Sequence, residues 1–261
     1  INNKRNIINK GITIRTAKIY YILLNITGLS LAVFLSFKIN FPLFSLIFVY
    51  CIITLWLYSK HMKKTFLIGN LQISLLSALT MINVGLFDLL PIIQGEITGY
   101  NHNNHIHIQP IHIDHLKLFF NIILIYALFG FLLSLIREII KDMEDIQGDK
   151  YGNSRTVVIL WGYKKTKGLV VTISLFVICL VAGIQYLQYS IIATEFSLLY
   201  QGMEYKNIDF WGINNISIIY VFSIQVFLLI FIYKTLKSRT KEQFRKLSLF
   251  AKIIMLLGIL S

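Results

Sequence analysis

Charge is what this sequence has least of: aspartate and glutamate total 12 of 261 residues, and all charged residues together make up only 14%. Soluble domains run near a quarter charged, so this shortage alone excludes an ordinary soluble globular fold. Proline occurs three times and cysteine twice. So little proline excludes collagen-like and Pro-rich disordered chains. Cys51 and Cys179 lie inside apolar runs with neither metal nor redox spacing, which excludes a disulfide-stapled scaffold and leaves them as small hydrophobes. What fills the chain instead is apolar: 56% of residues are hydrophobic, gathered in long unbroken runs. Those runs do not alternate with polar residues, which excludes a transmembrane barrel and leaves an all-α membrane protein.

Seven stretches reach or approach the ~20 apolar residues that a helix needs to cross hydrocarbon. They lie at 19–37, 41–58, 66–90, 116–136, 169–188, 214–233 and 247–260. The expected fold is a polytopic helical bundle, one domain over residues 1–261, with no internal repeat, Gly/Ser linker or separate soluble part. The first 18 residues are basic but carry neither the apolar core nor the small-residue cleavage site of a signal peptide. The chain begins with isoleucine, so further sequence is expected upstream.

Of the 25 lysines and arginines, all but Lys38, Lys117, Lys206 and Lys252 fall before the first span or on the connections after the second, fourth and sixth. Alternation of this kind assigns those connections to the cytoplasm and makes the protein a multi-pass component of the cell's inner or plasma membrane. The net charge of +13 is then mostly orientation. No nucleic-acid partner is expected, because that needs basic residues on a folded soluble face with aromatics between them.

Against this background one segment stands out. Glu138, Asp142, Glu144, Asp145 and Asp149 crowd into twelve residues directly after the fourth span. At 100° per residue, Glu138, Asp142, Asp145 and Asp149 form a stripe about 60° wide if the helix persists through Gly148, while Arg137, Lys141 and Glu144 project elsewhere. Like charges at such spacing destabilise a helix. A divalent cation would offset the repulsion, and oxygen donors of this kind suit Mg²⁺, which takes one or two protein carboxylates, waters and phosphate oxygens. The plain alternative is a solvated helix cap. Two features favour a site: the position at the membrane edge and the near absence of acid from the other cytoplasmic segments.

The run from Arg137 through Glu138, Lys141, Asp142, Asp145, Gly148, Asp149 and Lys150, then Gly152, Thr156 and Gly162, resembles the second aspartate-rich motif of the UbiA superfamily of intramembrane prenyltransferases. It is closest to the branch like digeranylgeranylglyceryl phosphate synthase. Two further segments resemble the family in the same order. One is Tyr58-Ser59-Lys60 through Lys63-Lys64 to Gly69-Asn70. The other is Ile1 through Arg5 with Gly11, Ile12 and Ala17, which is similar to the family's residues immediately after the first aspartate-rich motif.

The resemblance implies a nine-helix fold whose third to ninth helices are the seven spans, with the first two helices and the first aspartate-rich motif lying outside this chain. It implies Mg²⁺ as cofactor, held by Asp142, Asp145 and Asp149, with Asp142 and Asp145 catalytic. Arg5, Lys60, Lys64, Asn70, Arg137 and Lys141 are the expected substrate-binding residues. The implied reaction moves a polyprenyl group, such as geranylgeranyl, from its diphosphate to a lipid or aromatic acceptor, most closely the glycerol-phosphate lipid of a geranylgeranylglycerol-phosphate geranylgeranyltransferase. A quinone-pathway ring or a tetrapyrrole fits the same diphosphate site. With one carboxylate cluster present, these 261 residues by themselves are expected to be inactive.

Other segments carry weaker signals. His102, His105, His107, His112 and His115 enrich the expected exterior connection after the third span, but their spacing matches no metal pattern, and a polar exterior loop is the simpler reading. Asn83, Gln185 and Gln225 lie in or near spans and are expected to bond neighbouring helices, whereas Asn70 is expected to face a cavity. A small transporter is the rival function. It would place charge at mid-span, where this sequence has no carboxylate. The charge pattern makes a direct prediction. A cysteine at Asn153 reacts with a membrane-impermeant thiol reagent only after cells are opened, and one at Asn103 reacts in intact cells. The reverse pattern would place the acidic stripe outside.

Overall fold

The computed structural model describes residues 13–102, 111–199 and 215–260, and among them every regular element is helical. Hydrocarbon offers no water to the backbone, and a helix pairs its peptide groups within itself. Helix α1, Ile14–Lys38, begins at Thr13, whose hydroxyl accepts a hydrogen bond from the Thr16 amide at 3.2 Å. A single turn led by Pro42, Pro42–Phe44, separates it from α2, Ser45–Lys60. The turn Met62–Lys64 leads to α3, Ile68–His102, with α4, Ile111–Tyr151, and α5, Val157–Leu199, next in the chain. Helices α6, Asn215–Lys237, and α7, Lys241–Ile259, complete the order.

Six of these helices are long and apolar enough to cross a membrane. The seventh expected span, 247–260, belongs to α7, which starts at Lys241 and is amphipathic instead. Phe244, Leu247, Ser248, Ala251, Ile254 and Gly258, spaced by three and four, form its buried face, while Glu242, Arg245, Lys246 and Lys252 lie on the other. A second feature matters more for function. The fourth span continues as helix past residue 136, the condition on which the acidic stripe rests. Helix α4 runs unbroken for 41 residues, roughly 60 Å at 1.5 Å per residue and twice the ~30 Å hydrocarbon core.

The chain divides into two compact units, with the boundary between Ala127 and Leu128 inside α4. In the first, Phe48 meets Phe87 edge-on at 5.9 Å, and the Gln72 side-chain amide donates to the Thr54 carbonyl at 2.7 Å, joining α2 to α3. Most large apolar side chains of α1, Leu24 and Phe34 among them, remain uncovered. Patches this wide fit contact with lipid rather than water.

The second unit holds the larger core. Ile136, Ile139, Ile140 and Met143 of α4 are fully buried, as are Val170 of α5, Leu228 and Phe231 of α6, and Phe244 and Ile254 of α7. Gln225 donates to Gln185 at 2.8 Å between α6 and α5, the interhelical bond expected of those two residues. Tyr220 donates to the Leu257 carbonyl at 2.7 Å and ties α6 to α7. Gly162 interrupts α5 with φ 71° and ψ 168°, a conformation that costs any residue with a Cβ. Immediately after this break, the Tyr163 ring stacks on Phe244 at 5.5 Å and 7°.

Close approach, not dihedral freedom, fixes Gly69. A Cβ there would lie 2.6 Å from the Met62 carbonyl oxygen, whereas one at Gly28 would meet nothing within 4 Å. Gly69→Ala therefore lowers stability by about 1–3 kcal/mol. Gly28→Ala is neutral or stabilising by up to ~1 kcal/mol. Melting of the two detergent-solubilised variants checks this, and equal midpoints would contradict the close contact.

Candidate functional site

The acidic stripe stands on the part of α4 beyond residue 136, and its geometry is set by helix phase. Ile136, Ile139, Ile140 and Met143 turn one face into the core, and Asp142, Asp145 and Asp149 fall on the opposite side of the same helix. The helix persists through Gly148 to Tyr151, so the stripe forms. It ends in a cap: the Gly152 amide donates to the Gly148 carbonyl and the Ser154 amide to the Asp149 carbonyl, both at 3.0 Å. Asn153 takes the left-handed conformation, φ 50°, that asparagine tolerates at a helix end.

Protein cations offset part of the repulsion within the stripe. Arg137 and Lys141, expected to point elsewhere, both reach Glu138: the Arg137 guanidinium donates to its Oε1, and Lys141 Nζ lies 3.7 Å from its Oε2. Glu138 is buried, and so is Arg137 Nε, which has no hydrogen-bond partner. Arg137 and Glu138 are embedded at the base of the stripe, while Lys141 is partly exposed. Further along, Asp145 accepts a hydrogen bond from Lys241 Nζ of α7 at 3.4 Å, with both side chains more than half exposed. Asp142 and Asp149 are engaged as well. Among the described residues no three His, Cys, Asp or Glu side chains converge as a metal cluster.

Elements beside α4 orient the same end of the unit. Tyr163, set by the break at Gly162, donates through its hydroxyl to the Met143 carbonyl at 3.4 Å. Lys167, one turn further, donates to the Leu236 carbonyl at 3.1 Å, tying α5 to the end of α6. Lys241 lies 96 residues from its partner Asp145, and no local pattern in the sequence joins them. The charge rule alone assigns the two residues to one membrane side.

The remaining expected site residues belong to the first unit. Lys60 closes α2 with Nζ 4.7 Å above the Trp56 ring, and Lys64 is exposed in the turn Met62–Lys64. Asn70 is buried in the first turn of α3, its carbonyl accepting from Ser74 Oγ at 2.6 Å. Arg5 lies outside the described residues, as do residues 103–110 of the histidine-rich segment and the side chains of His102, His112 and His115.

Comparison with known proteins adds relatives to this geometry. A model of the UbiA prenyltransferase family matches residues 2–253. The digeranylgeranylglyceryl phosphate synthase of Methanosphaera stadtmanae is 27% identical over 83% of this chain and 60% of its own length. That of Korarchaeum cryptofilum is 27% identical over 94% of this chain and 68% of its own length, and that of Methanobrevibacter smithii 25% over 100% and 75%. The chain thus spans 60% of the first of these relatives. Its fold is similar to a solved structure from work on digeranylgeranylglyceryl phosphate synthase in membranes, with a TM-score of 0.53 and 24% identity over 100% of this chain and 73% of the other.

The carboxylates of α4 divide by burial, which gives a test. Glu138→Gln leaves the partly buried Arg137 charge without its counter-ion and lowers stability by about 2–3 kcal/mol. Asp145→Asn removes an exposed pair and costs less than ~1 kcal/mol. Chemical or thermal unfolding of the two proteins distinguishes them, and equal losses would refute the division.

Proposed function

The chain belongs to the UbiA prenyltransferase family, and from that premise we propose that it serves a membrane-embedded transferase that moves a polyprenyl group from its diphosphate to the hydroxyl of a glycerol-phosphate lipid. The observation that carries this reading is the face of α4 bearing Asp142, Asp145 and Asp149 where the helix continues beyond the length of a bilayer crossing. The names of the relatives from Methanosphaera stadtmanae and Methanobrevibacter smithii support the lipid acceptor over an aromatic ring.

The donor set fits Mg²⁺. Carboxylates at i, i+3 and i+7 share one side of α4 without converging on one point, and Asp145 is exposed and bonded at 3.4 Å to a single lysine, so an ion here would be met by one or two of them at a time. Sites of one or two carboxylates, completed by water and phosphate oxygens, are the usual way proteins bind this ion. What Mg²⁺ supplies when held by Asp142, Asp145 and Asp149 is positive charge against the diphosphate as it departs.

The chain's own residues do the rest. Arg137 and Lys141, anchored on Glu138, keep cationic groups at the base of the stripe, where the diphosphate oxygens come to rest. Lys60, Lys64, Asn70 and Arg5 are the further substrate-binding residues that the family resemblance implies. Apolar faces hold the prenyl tail and exclude water, which would otherwise capture the allylic cation. The allylic carbon–oxygen bond breaks with its electron pair leaving on diphosphate. The acceptor hydroxyl oxygen forms the new bond to carbon, and its proton passes to the departing diphosphate. The basic connections, and the stripe with them, face the cytoplasm.

The test is diphosphate release from a labelled prenyl diphosphate by the protein expressed with any sequence that precedes Ile1 in its gene. Asp142→Ala and Asp145→Ala each lower it at least ~100-fold while the protein still inserts in membranes. Activity retained in both variants would overturn the assignment.

A further inference from the structure

Basic residues collect at the α6–α7 corner more densely than orientation in the membrane requires. Lys234, Lys237, Arg239, Lys241, Arg245 and Lys246 occur within thirteen residues, and Glu242 is the only acid among them. Glu242 pairs with Lys246 at 3.1 Å, and Lys241 reaches across to Asp145. Lys234 and Lys237 have no carboxylate partner among the described residues. They lie instead over aromatic rings, Lys234 Nζ 5.1 Å above Phe250 and Lys237 Nζ 4.4 Å above Tyr233.

The corner is also concave. A cleft of ≈ 250 Å³ opens between the two helices, and Lys234, Lys237, Lys246 and Gln243 line it together with Leu247 and Phe250. The backbone that shapes it is fixed. Gln243 Oε1 accepts from the amides of Arg239 and Thr240 at 2.7 and 3.1 Å, and Thr240 caps α7 in return. Ser238, buried, donates to the Lys234 carbonyl at 2.7 Å.

The positive-inside bias explains cations on this side of a span, but not their arrangement around a cleft that apolar side chains also line. A cationic pocket between helices, at the basic end of a span, matches the headgroup of an anionic lipid, with phosphate against ammonium groups and the glycerol and first methylenes against apolar surface. We propose that the α6–α7 cleft is a binding site for the phosphate headgroup of an anionic membrane lipid, with Lys237 and Lys246 as its principal phosphate ligands. The site is separate from the carboxylate face of α4, and the inference does not depend on the transfer reaction. It makes the lipid a structural ligand of the α6–α7 pair.

Melting of the full chain in a neutral detergent tests this, with added dioleoyl phosphatidate, dioleoyl phosphatidylcholine or inorganic phosphate. Phosphatidate raises the melting temperature saturably, and the phosphatidylcholine of the same chains does not. Lys237→Gln with Lys246→Gln raises the half-saturating phosphatidate concentration at least tenfold. Lys246→Gln alone, at a side chain 77% exposed, raises it in the same direction and guards against misfolding of the pair. Lys164→Gln with Lys165→Gln removes the same charge from exposed positions of α5 and leaves it within twofold. An unchanged phosphatidate response in the cleft variants would overturn the proposal. So would an equal loss in the α5 control, or saturation by inorganic phosphate at the concentration phosphatidate requires, which would assign the cleft to the free anion.

Discussion

The continuity of α4 is the constraint on which the rest depends. One helix carries an apolar crossing, a buried face and a charged face in succession, and an unbroken hydrogen-bond ladder keeps all three in phase. Ile136, Ile139, Ile140 and Met143 dictate how α4 seats among α5, α6 and α7. Once that seat is taken, the opposite side is no longer free to vary. Asp142, Asp145 and Asp149 must stand away from the core, because rotating the helix to bury them would bring charge inside and apolar side chains out, at several kcal/mol per residue.

Packing around α4 shows how few polar contacts are needed to hold a membrane bundle in register. Gln185 with Gln225, Tyr220 with the Leu257 carbonyl, and Lys167 with the Leu236 carbonyl each join a different pair of positions among α5, α6 and α7. Polar bonds of this kind contribute only about 1 kcal/mol each in such a setting, so their value lies in selecting one rotation and height for each helix. The break at Gly162 acts in the same way. It re-aims the following turn so that Tyr163 meets both Phe244 and the Met143 carbonyl.

Much of this was legible in the sequence because the bilayer leaves so few alternatives. Long apolar runs report helices directly, and the spacing of Glu138, Asp142, Asp145 and Asp149 reports a common helix face. Three things were not legible. The persistence of α4 through Gly148 was a condition that the stripe required rather than something the sequence reported, since apolar character ends at the membrane while the helix does not. The character of α7 was hidden too, because Phe244, Leu247, Ala251 and Ile254 are apolar enough to resemble part of a span until the cations between them are assigned to the opposite face. Finally, the partners of the carboxylates were hidden for two reasons. Arg137 and Lys141 meet their helix neighbour Glu138 because long flexible stems let them leave the direction their Cα–Cβ bonds set, and Lys241 reaches Asp145 only once α7 has packed.

The link between Lys241 and Asp145 explains how a single unit can keep an acidic face beside a basic corner without collapsing one onto the other. Lys241 is the first residue of α7, where the helix dipole disfavours a cation, and the exposed pair itself contributes no more than ~1 kcal/mol. The capping box on Thr240 holds the backbone of that turn through Gln243, independently of the lysine side chain. Releasing Asp145 to a more strongly charged partner therefore costs little and disturbs nothing behind it. Glu138 has the opposite character, since it is buried against Arg137 and anchors the base of the same helix face. Over the roughly two turns of α4 from Glu138 to Asp145, a fixed, buried carboxylate thus gives way to an exposed, exchangeable one.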